Sequence, residues 1–431
     1  MRYVVLAGLL AAGAAAAQEP QAPAAATTGA ASARSSTAPV AGSVAPAPGD
    51  AARKAEERRK LEEQIAKELG VSQAPAASSG APPGPPPAAP PASAAPLGGN
   101  PFARVLMLPD VSAIGSGALV WNQKDVQVVS PRSDPYGPGG KVQPVFQELE
   151  VALQSVVDPY ARADVFLTFH PDGAGVEEAY LTTLGLPAGL QIRAGTLKSP
   201  FGRLNQQHPH VWDFVGTPLP MARLLAVDAL EGPGVDVAWL APVPWFLELH
   251  LAYQDTVPGF ETAGRRTGVA HLLQYFDVAE GTTLGVGLSA ARLDEPGAGA
   301  WRDLYGADLF LKIRPPQGRA YLTLQGELFA RRLSGAADPA QDGTRLGGYL
   351  QALWRQNAYW GYGARWETAP AAGPGLSGAE NRWTALATWY PSEFQRLRLQ
   401  VSNDRLPGGS TGWEALLAME FIIGAHGAHP F

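Results

Sequence analysis

From residue 111 onward one constraint recurs. Apolar and polar side chains alternate one by one over segments of about ten residues, and turn residues separate the segments. Trp245, Leu247, Leu249, Leu251 and Tyr253 share one face, with Phe246, Glu248, His250, Ala252 and Gln254 on the other. The same division separates Tyr305, Ala307, Leu309, Leu311 and Ile313 from Gly306, Asp308, Phe310, Lys312 and Arg314. It separates Leu397, Leu399 and Val401 from Arg398 and Gln400. A period of two belongs to a strand with one greasy and one wet face, because successive Cβ atoms point to opposite sides. A soluble sandwich alternates too, and the connections decide between the two. Short ones, such as APVP at 241–244, PPQG at 315–318 and PSE at 391–393, alternate with long ones, such as 122–144, 199–231 and 332–343. Short turns at one end and long loops at the other characterise bacterial outer-membrane barrels. Aromatic residues gather at the short turns: Trp239 and Trp245 flank APVP, Tyr359 and Trp360 follow QNA, and Trp389 and Tyr390 precede PSE. That is the composition of an interfacial girdle.

Sixteen alternating segments can be counted, the first near 111–121 and the last near 412–424, within a range of fourteen to eighteen. An even number lets the sheet close with both ends on one side. Closure leaves no strand edge unpaired in lipid, where no water can satisfy it. The expected fold is an all-β transmembrane antiparallel β-barrel over residues 101–431, with outer-membrane lipid as its surroundings. Trp413, Ala415, Leu417, Met419, Phe421 and Ile423 form an apolar face that runs to the terminal Phe431. A terminal aromatic after such a strand resembles the signal read by the barrel-assembly machinery.

The residues before the barrel differ in kind. Residues 1–17, MRYVVLAGLLAAGAAAA, have one basic residue, a short apolar run and small residues at the end. The run is too short to span a bilayer and reads as a signal peptide. Residues 18–100 are rich in Ala, Pro, Ser and Gly, a composition that cannot offset its ordering entropy and reads as disordered. One charged helix is expected near 50–69, with Leu61, Ile65 and Leu69 in a narrow seam. These readings place the chain in the outer membrane of a Gram-negative bacterium, with the N-terminal segment in the periplasm. The chain has no Cys, which removes disulfides, thiolate metal sites and thiol nucleophiles.

The connection at 199–231 is the third outer loop and the longest, and "LNQQHPHVWDFVGTPLPMARLL" within it shows no clear period. Its apolar and aromatic content is unsuited to a free outer loop. Irregular backbone at membrane depth is tolerated where it is buried in protein or lines water. The passage is therefore expected to fold inward as a constriction. Candidate constriction and pore-lining residues are Arg193, Asn205, Gln207, His208, His210, Trp212, Asp213, Glu248, His250, Asp308, Glu327, Arg365 and Glu367. His208, His210 and Asp213 together offer imidazole and carboxylate ligands of the kind that suit Zn²⁺. Pro209 is expected to hold an extended backbone that turns both rings to one side. The alternative is that both histidines simply pack and hydrogen-bond. His426 and His429 belong to the opposite, periplasmic end.

The stretch "EEAYLTTLGLPAGLQIRAGTLKSPFGRLNQQHPHVWDF" resembles one shared by phosphate-selective-type porins, an EAY strand followed by an R-x-G-x-x-x-x-P-F-G hairpin, here at 178–180 and 193–202. Residues 205–214 and the tail GAHGAHPF at 424–431 resemble more closely proteins labelled zinc-regulated outer-membrane receptors. The resemblance implies a porin-like barrel, a homotrimer in many such proteins, and metal-responsive expression. It does not imply an energised receptor: residues 18–100 are too poor in apolar residues to fold as a plug.

Phosphate selectivity calls for a basic ladder. Residues 101–431 instead carry 25 basic and 32 acidic side chains, a net of −7. Inward positions mix signs: Glu148, Glu150, Arg162, Asp164, Glu178, Arg193, Glu248, Asp308, Lys312, Glu327, Arg331, Arg365, Glu367 and Arg398. Such a mixture either filters ions or merely cross-links the interior. The function expected is passive diffusion of small hydrophilic solutes, leaning toward cations and including metal ions. The competing expectation is a structural barrel with an occluded lumen and a tail linked to the cell wall. No compact Ser/His/Asn arrangement supports an enzyme, and the acidic balance gives nucleic acid no purchase.

Overall fold

The computed structural model describes residues 109–123, 140–171, 173–226, 229–257, 264–295, 299–316, 318–335, 343–371 and 378–424. The signal peptide, the tail at 18–100, its helix near 50–69, His426, His429 and Phe431 lie outside the described residues.

Sixteen strands follow one another: β1 Asp110–Asn122, β2 Val142–Asp158, β3 Ala161–His170, β4 Gly173–Thr183, β5 Leu190–Lys198, β6 Glu231–Leu240, β7 Phe246–Thr256, β8 Arg265–Ala279, β9 Thr282–Asp294, β10 Trp301–Ile313, β11 Tyr321–Ser334, β12 Gly343–Arg355, β13 Trp360–Pro370, β14 Ala379–Ser392, β15 Gln395–Arg405 and β16 Thr411–Gly424. Each pairs antiparallel with the next, and β16 returns to β1, with Ala118 opposite Ala418. The sheet is a closed barrel with the sixteen strands that the alternation predicts. No helix among the described residues is long and apolar enough to cross a membrane.

The period of two sorts the side chains as expected. Leu251, Tyr253, Leu309, Leu328, Leu346, Leu350, Leu399, Leu417 and Met419 are exposed outward. Their neighbours His250, Gln254, Asp308, Glu327, Gln351, Arg398, Gln400 and Glu420 are buried inward. At the short turns Trp360 and Trp389 lie with ring centroids 6.3 Å apart, and Phe246 and Tyr275 at 5.6 Å. Bulges break the alternation within β2 and β4, the strands on either side of β3. Gln147 is the extra residue of β2 opposite Ser116 and Gly117, and Glu177 is the extra residue of β4 opposite Phe166 and Leu167. A bulge re-aims the side chain it carries.

Between β5 and β6 the chain folds into the barrel. The inward segment contains 3₁₀ turns at Leu204–Gln206 and Pro209–Val211 and one short helix, α1, at Leu219–Leu224. Phe201, Leu204, Trp212, Met221, Leu224, Leu225 and Leu230 pack on inward-facing Ala252, Val269, Ala291, Leu293, Leu304, Phe329 and Tyr349. Phe214 joins Leu353 and Leu386, and Val215 joins Ala118, Val120, Leu416 and Ala418. The wall makes room: a Cβ on Gly306 would meet the Phe201 ring at 2.9 Å, and one on Gly347 would meet Leu224 and Pro220 at 3.0 Å. Gly202, where the chain turns inward, has φ +62° and no space beside the Glu327 carboxylate. A side chain there would be strained and would clash.

Wall side chains stand in for the missing ladder. Glu327 accepts from the backbone N–H groups of Arg203 and Leu204, at 2.9 Å each. Ser289 accepts from Gly202 N–H at 2.8 Å, Gln400 accepts from Val215 N–H at 2.9 Å, and Glu367 accepts from Leu219 N–H at 2.9 Å. Each large apolar side chain withdrawn from lumen water contributes about 1.5–3 kcal/mol, whereas a made hydrogen bond nets about 0.5–1.5 kcal/mol. Packing therefore holds the segment in. The hydrogen bonds fix where it sits, because a buried group left unpaired costs about 1–3 kcal/mol.

Candidate functional site

The segment is stapled at its two ends by one residue. Asn205 donates to the carbonyls of Ser199 at 2.9 Å and Leu230 at 3.1 Å, and accepts from Leu230 N–H at 2.7 Å. From this base the chain reaches two unlike parts of the wall.

Toward β2 and β4 it meets carboxylates. His208 Nδ1 lies 2.9 Å from Glu150 Oε2, and its Nε2 lies 2.8 Å from Glu178 Oε2. His210 Nδ1 lies 3.1 Å from the same Glu150 oxygen, and Glu177 Oε2 lies 3.3 Å from His208 Nδ1. Glu177 is available only because the bulge in β4 turns it toward its neighbour's side. Lys198 bridges Glu177 at 2.7 Å and Glu231 at 3.2 Å, while its backbone N–H donates to Glu178 at 2.7 Å. The His208 ring lies tilted against Phe166 and His210, with ring centroids 4.5 and 5.6 Å away. Burial alone would push the His208 imidazole down, but the surrounding carboxylates of Glu177, Glu150 and Glu178 outweigh it and hold its pKa well above the ordinary value.

Toward β15 the segment meets arginines. Arg396 donates to the His210 carbonyl, and Arg398 donates to the Trp212 carbonyl at 3.0 Å. Both arginines pair with Glu420, at 2.9 and 3.1 Å. Burial raises the Asp213 carboxyl pKa, against the pull of Arg396, Arg398, Arg355 and Arg203 around it. On β13, Arg365 lies 4.8 Å over the Phe214 ring and 3.3 Å from Glu367.

A third group lines β5 to β7. Arg193 donates to Asp236 at 2.7 Å, His250 Nδ1 lies 3.0 Å from the same carboxylate, and His250 Nε2 lies 3.3 Å from Glu248.

The predicted residues thus fall into separate groups. His208 and His210 come together, and their common partner is Glu150. Asp213 does not join them. Pro209–Val211 is a 3₁₀ turn where an extended stretch was expected, and the following residues carry Asp213 to the arginines. Arg193, Glu248 and His250 stand together, Glu327 and Asp308 stand opposite one another on β11 and β10, and Arg365 and Glu367 hold the far part of the segment. Trp212 is buried in the apolar cluster, and the backbone N–H of Gln207 closes the first 3₁₀ turn. Glu150 and Glu178 carried a sequence signal, their inward parity. Glu177 carried none, because strict alternation assigns it to the other face.

No family model matches the chain. An uncharacterized protein of Aquifex aeolicus (strain VF5) is 32% identical over 386 residues, covering 77% of this chain and 82% of that one. Among solved structures, the outer-membrane channel DcaP of Acinetobacter baumannii superposes with a TM-score of 0.52 at 9% identity, over 73% of this chain and 96% of that one. Pseudomonas putida OprB gives 0.52 at 7% identity, over 73% and 94%. An anion-selective porin from Comamonas acidovorans gives 0.50 at 10% identity, over 73% and 99%. At these identities the likeness is one of fold.

Proposed function

The chain belongs to the family of the Aquifex aeolicus protein, and from that premise we propose that it is an outer-membrane channel for passive diffusion of small hydrophilic solutes, with an interior that favours cations. One observation carries the reading: a closed ring of sixteen strands, apolar outside and polar inside, that holds a folded-in segment across its lumen. On this reading the N-terminal tail lies in the periplasm, Phe431 serves uptake by the barrel-assembly machinery, and three copies associate.

Charge supports the cation lean. Among the described residues, thirteen Asp and Glu side chains are buried against six Lys and Arg. Rings of acidic side chains favour cations, and phosphate would need the reverse. The anion selectivity in the Comamonas porin's name is not carried over. A second reading, a structural barrel with a closed lumen, is favoured by one observation: the segment is anchored to β2 and β4 on one side and β13 to β15 on the other.

Planar-bilayer recording from purified protein separates the two. Discrete open steps, with a reversal potential under a KCl gradient on the cation side, are expected. Steady silence from correctly folded protein supports the closed barrel, and an anion-side potential overturns the cation lean.

A further inference from the structure

We propose that Glu150, His208 and His210 form a binding site for a divalent cation of the zinc class, at the junction between the inward segment and the wall. The ligand atoms of these three buried residues all lie within 4.8 Å of one another. His208 Nδ1 and His210 Nδ1 converge on one oxygen, Glu150 Oε2, at 2.9 and 3.1 Å, and Glu177 Oε2 lies 3.3 Å from His208 Nδ1. Zinc bonds of about 2.0–2.1 Å set tetrahedral ligands about 3.3 Å apart. Two imidazoles and the Glu150 carboxylate already stand near that spacing.

A second observation points to a ligand independently. The Glu150 side chain is 1% exposed, yet its Oε1 has no hydrogen-bond partner among the described residues. A bare carboxylate oxygen withdrawn from water is costly unless a cation meets it. Lys198 reaches Glu177 and Glu231 but is not paired with Glu150, so a dication suits the remaining charge.

The surroundings are also those of a metal site. A ligating histidine commonly donates its other ring N–H to a carboxylate that fixes its tautomer. His208 Nε2 faces Glu178 Oε2 at 2.8 Å, and Glu178 Oε1 is itself held by Lys198 N–H at 2.7 Å. Imidazole with carboxylate selects zinc, nickel or copper over magnesium and calcium. Bound metal would tie β2 and β4 to the segment. The site does not depend on whether the lumen conducts.

Isothermal titration of the full chain, folded in detergent micelles, with ZnCl₂ and in parallel with MgCl₂ tests this. Folding is checked by the electrophoretic mobility shift between unheated and boiled protein. One saturable zinc ion per chain is expected, with no magnesium binding. Glu150→Gln should weaken zinc binding at least tenfold, and Glu178→Gln, one shell out, roughly 10–100-fold. His210→Asn provides a second ligand variant should Glu150→Gln fail to fold. Absence of zinc uptake by folded wild type overturns the site. So does an isotherm unchanged in a folded ligand variant, which would mean that the histidines only hydrogen-bond and zinc binds elsewhere. A zinc-binding chain that is silent in bilayers would break the channel reading and leave the site standing.

Discussion

In the wall, strand N–H and C=O groups meet those of neighbouring strands, so β10, for example, runs in unbroken register with both β9 and β11. In the segment between β5 and β6, outside its own short turns and helix, backbone groups meet wall side chains instead, those of Ser289, Glu327, Glu367 and Gln400. The wall therefore tolerates many outward side chains provided they stay apolar. The segment depends on particular inward residues scattered over most of the ring. A change on the outer face of the wall should act on the whole barrel, and a change in the segment or in the inward side chains that hold it on the aperture alone.

The largest effect expected within the segment comes from Phe201→Ala. It removes a fully buried ring from the centre of the apolar cluster and should cost about 3–5 kcal/mol of segment docking. Limited proteolysis should then cut within 199–230 while the barrel stays protected. Glu327→Ala should follow at about 3 kcal/mol. It strands the N–H groups of Arg203 and Leu204 and the hydroxyl of Tyr349, which lies 2.6 Å from the carboxylate. The same protease assay reads it, with increased open-channel noise as a second signal. If either variant instead unfolds the whole barrel, wall and segment are one cooperative unit and the contrast fails.

Leu350→Arg tests the other side. Leu350 is 56% exposed at the middle of β12, and an arginine on a lipid face near the midplane costs about 2–4 kcal/mol. Folding titrations in vesicles should show that loss with the segment's protease resistance unchanged. Leu399→Met, on the same outer surface, should shift stability by less than about 1 kcal/mol and leave conductance as it was.

The difference between the two regions also explains what could be read from the sequence. Strand identity follows from a period of two, so Leu399 and Gln400 reveal their faces without any tertiary knowledge. The count of sixteen and the inward fold of the third loop came from the same pattern and its breakdown. The histidine cluster was only half legible. His208 and His210 are two apart, but their partner Glu150 is on β2, and nothing local announces that the loop folds onto that strand. Glu177 was hidden because a single bulge reverses its parity. Asp213 was grouped with the histidines by nearness in sequence, and a 3₁₀ turn separates them.

The central claim is that the segment between β5 and β6 sets the aperture of a lipid-embedded ring. Single-channel conductance of the intact chain, compared with a chain in which residues 203–228 are replaced by a short Gly/Ser linker, tests it most directly. The account predicts discrete steps from the first and steps several-fold larger from the second, with both proteins migrating as folded barrels. Equal conductance in the two, or silence from both when folded, would contradict it.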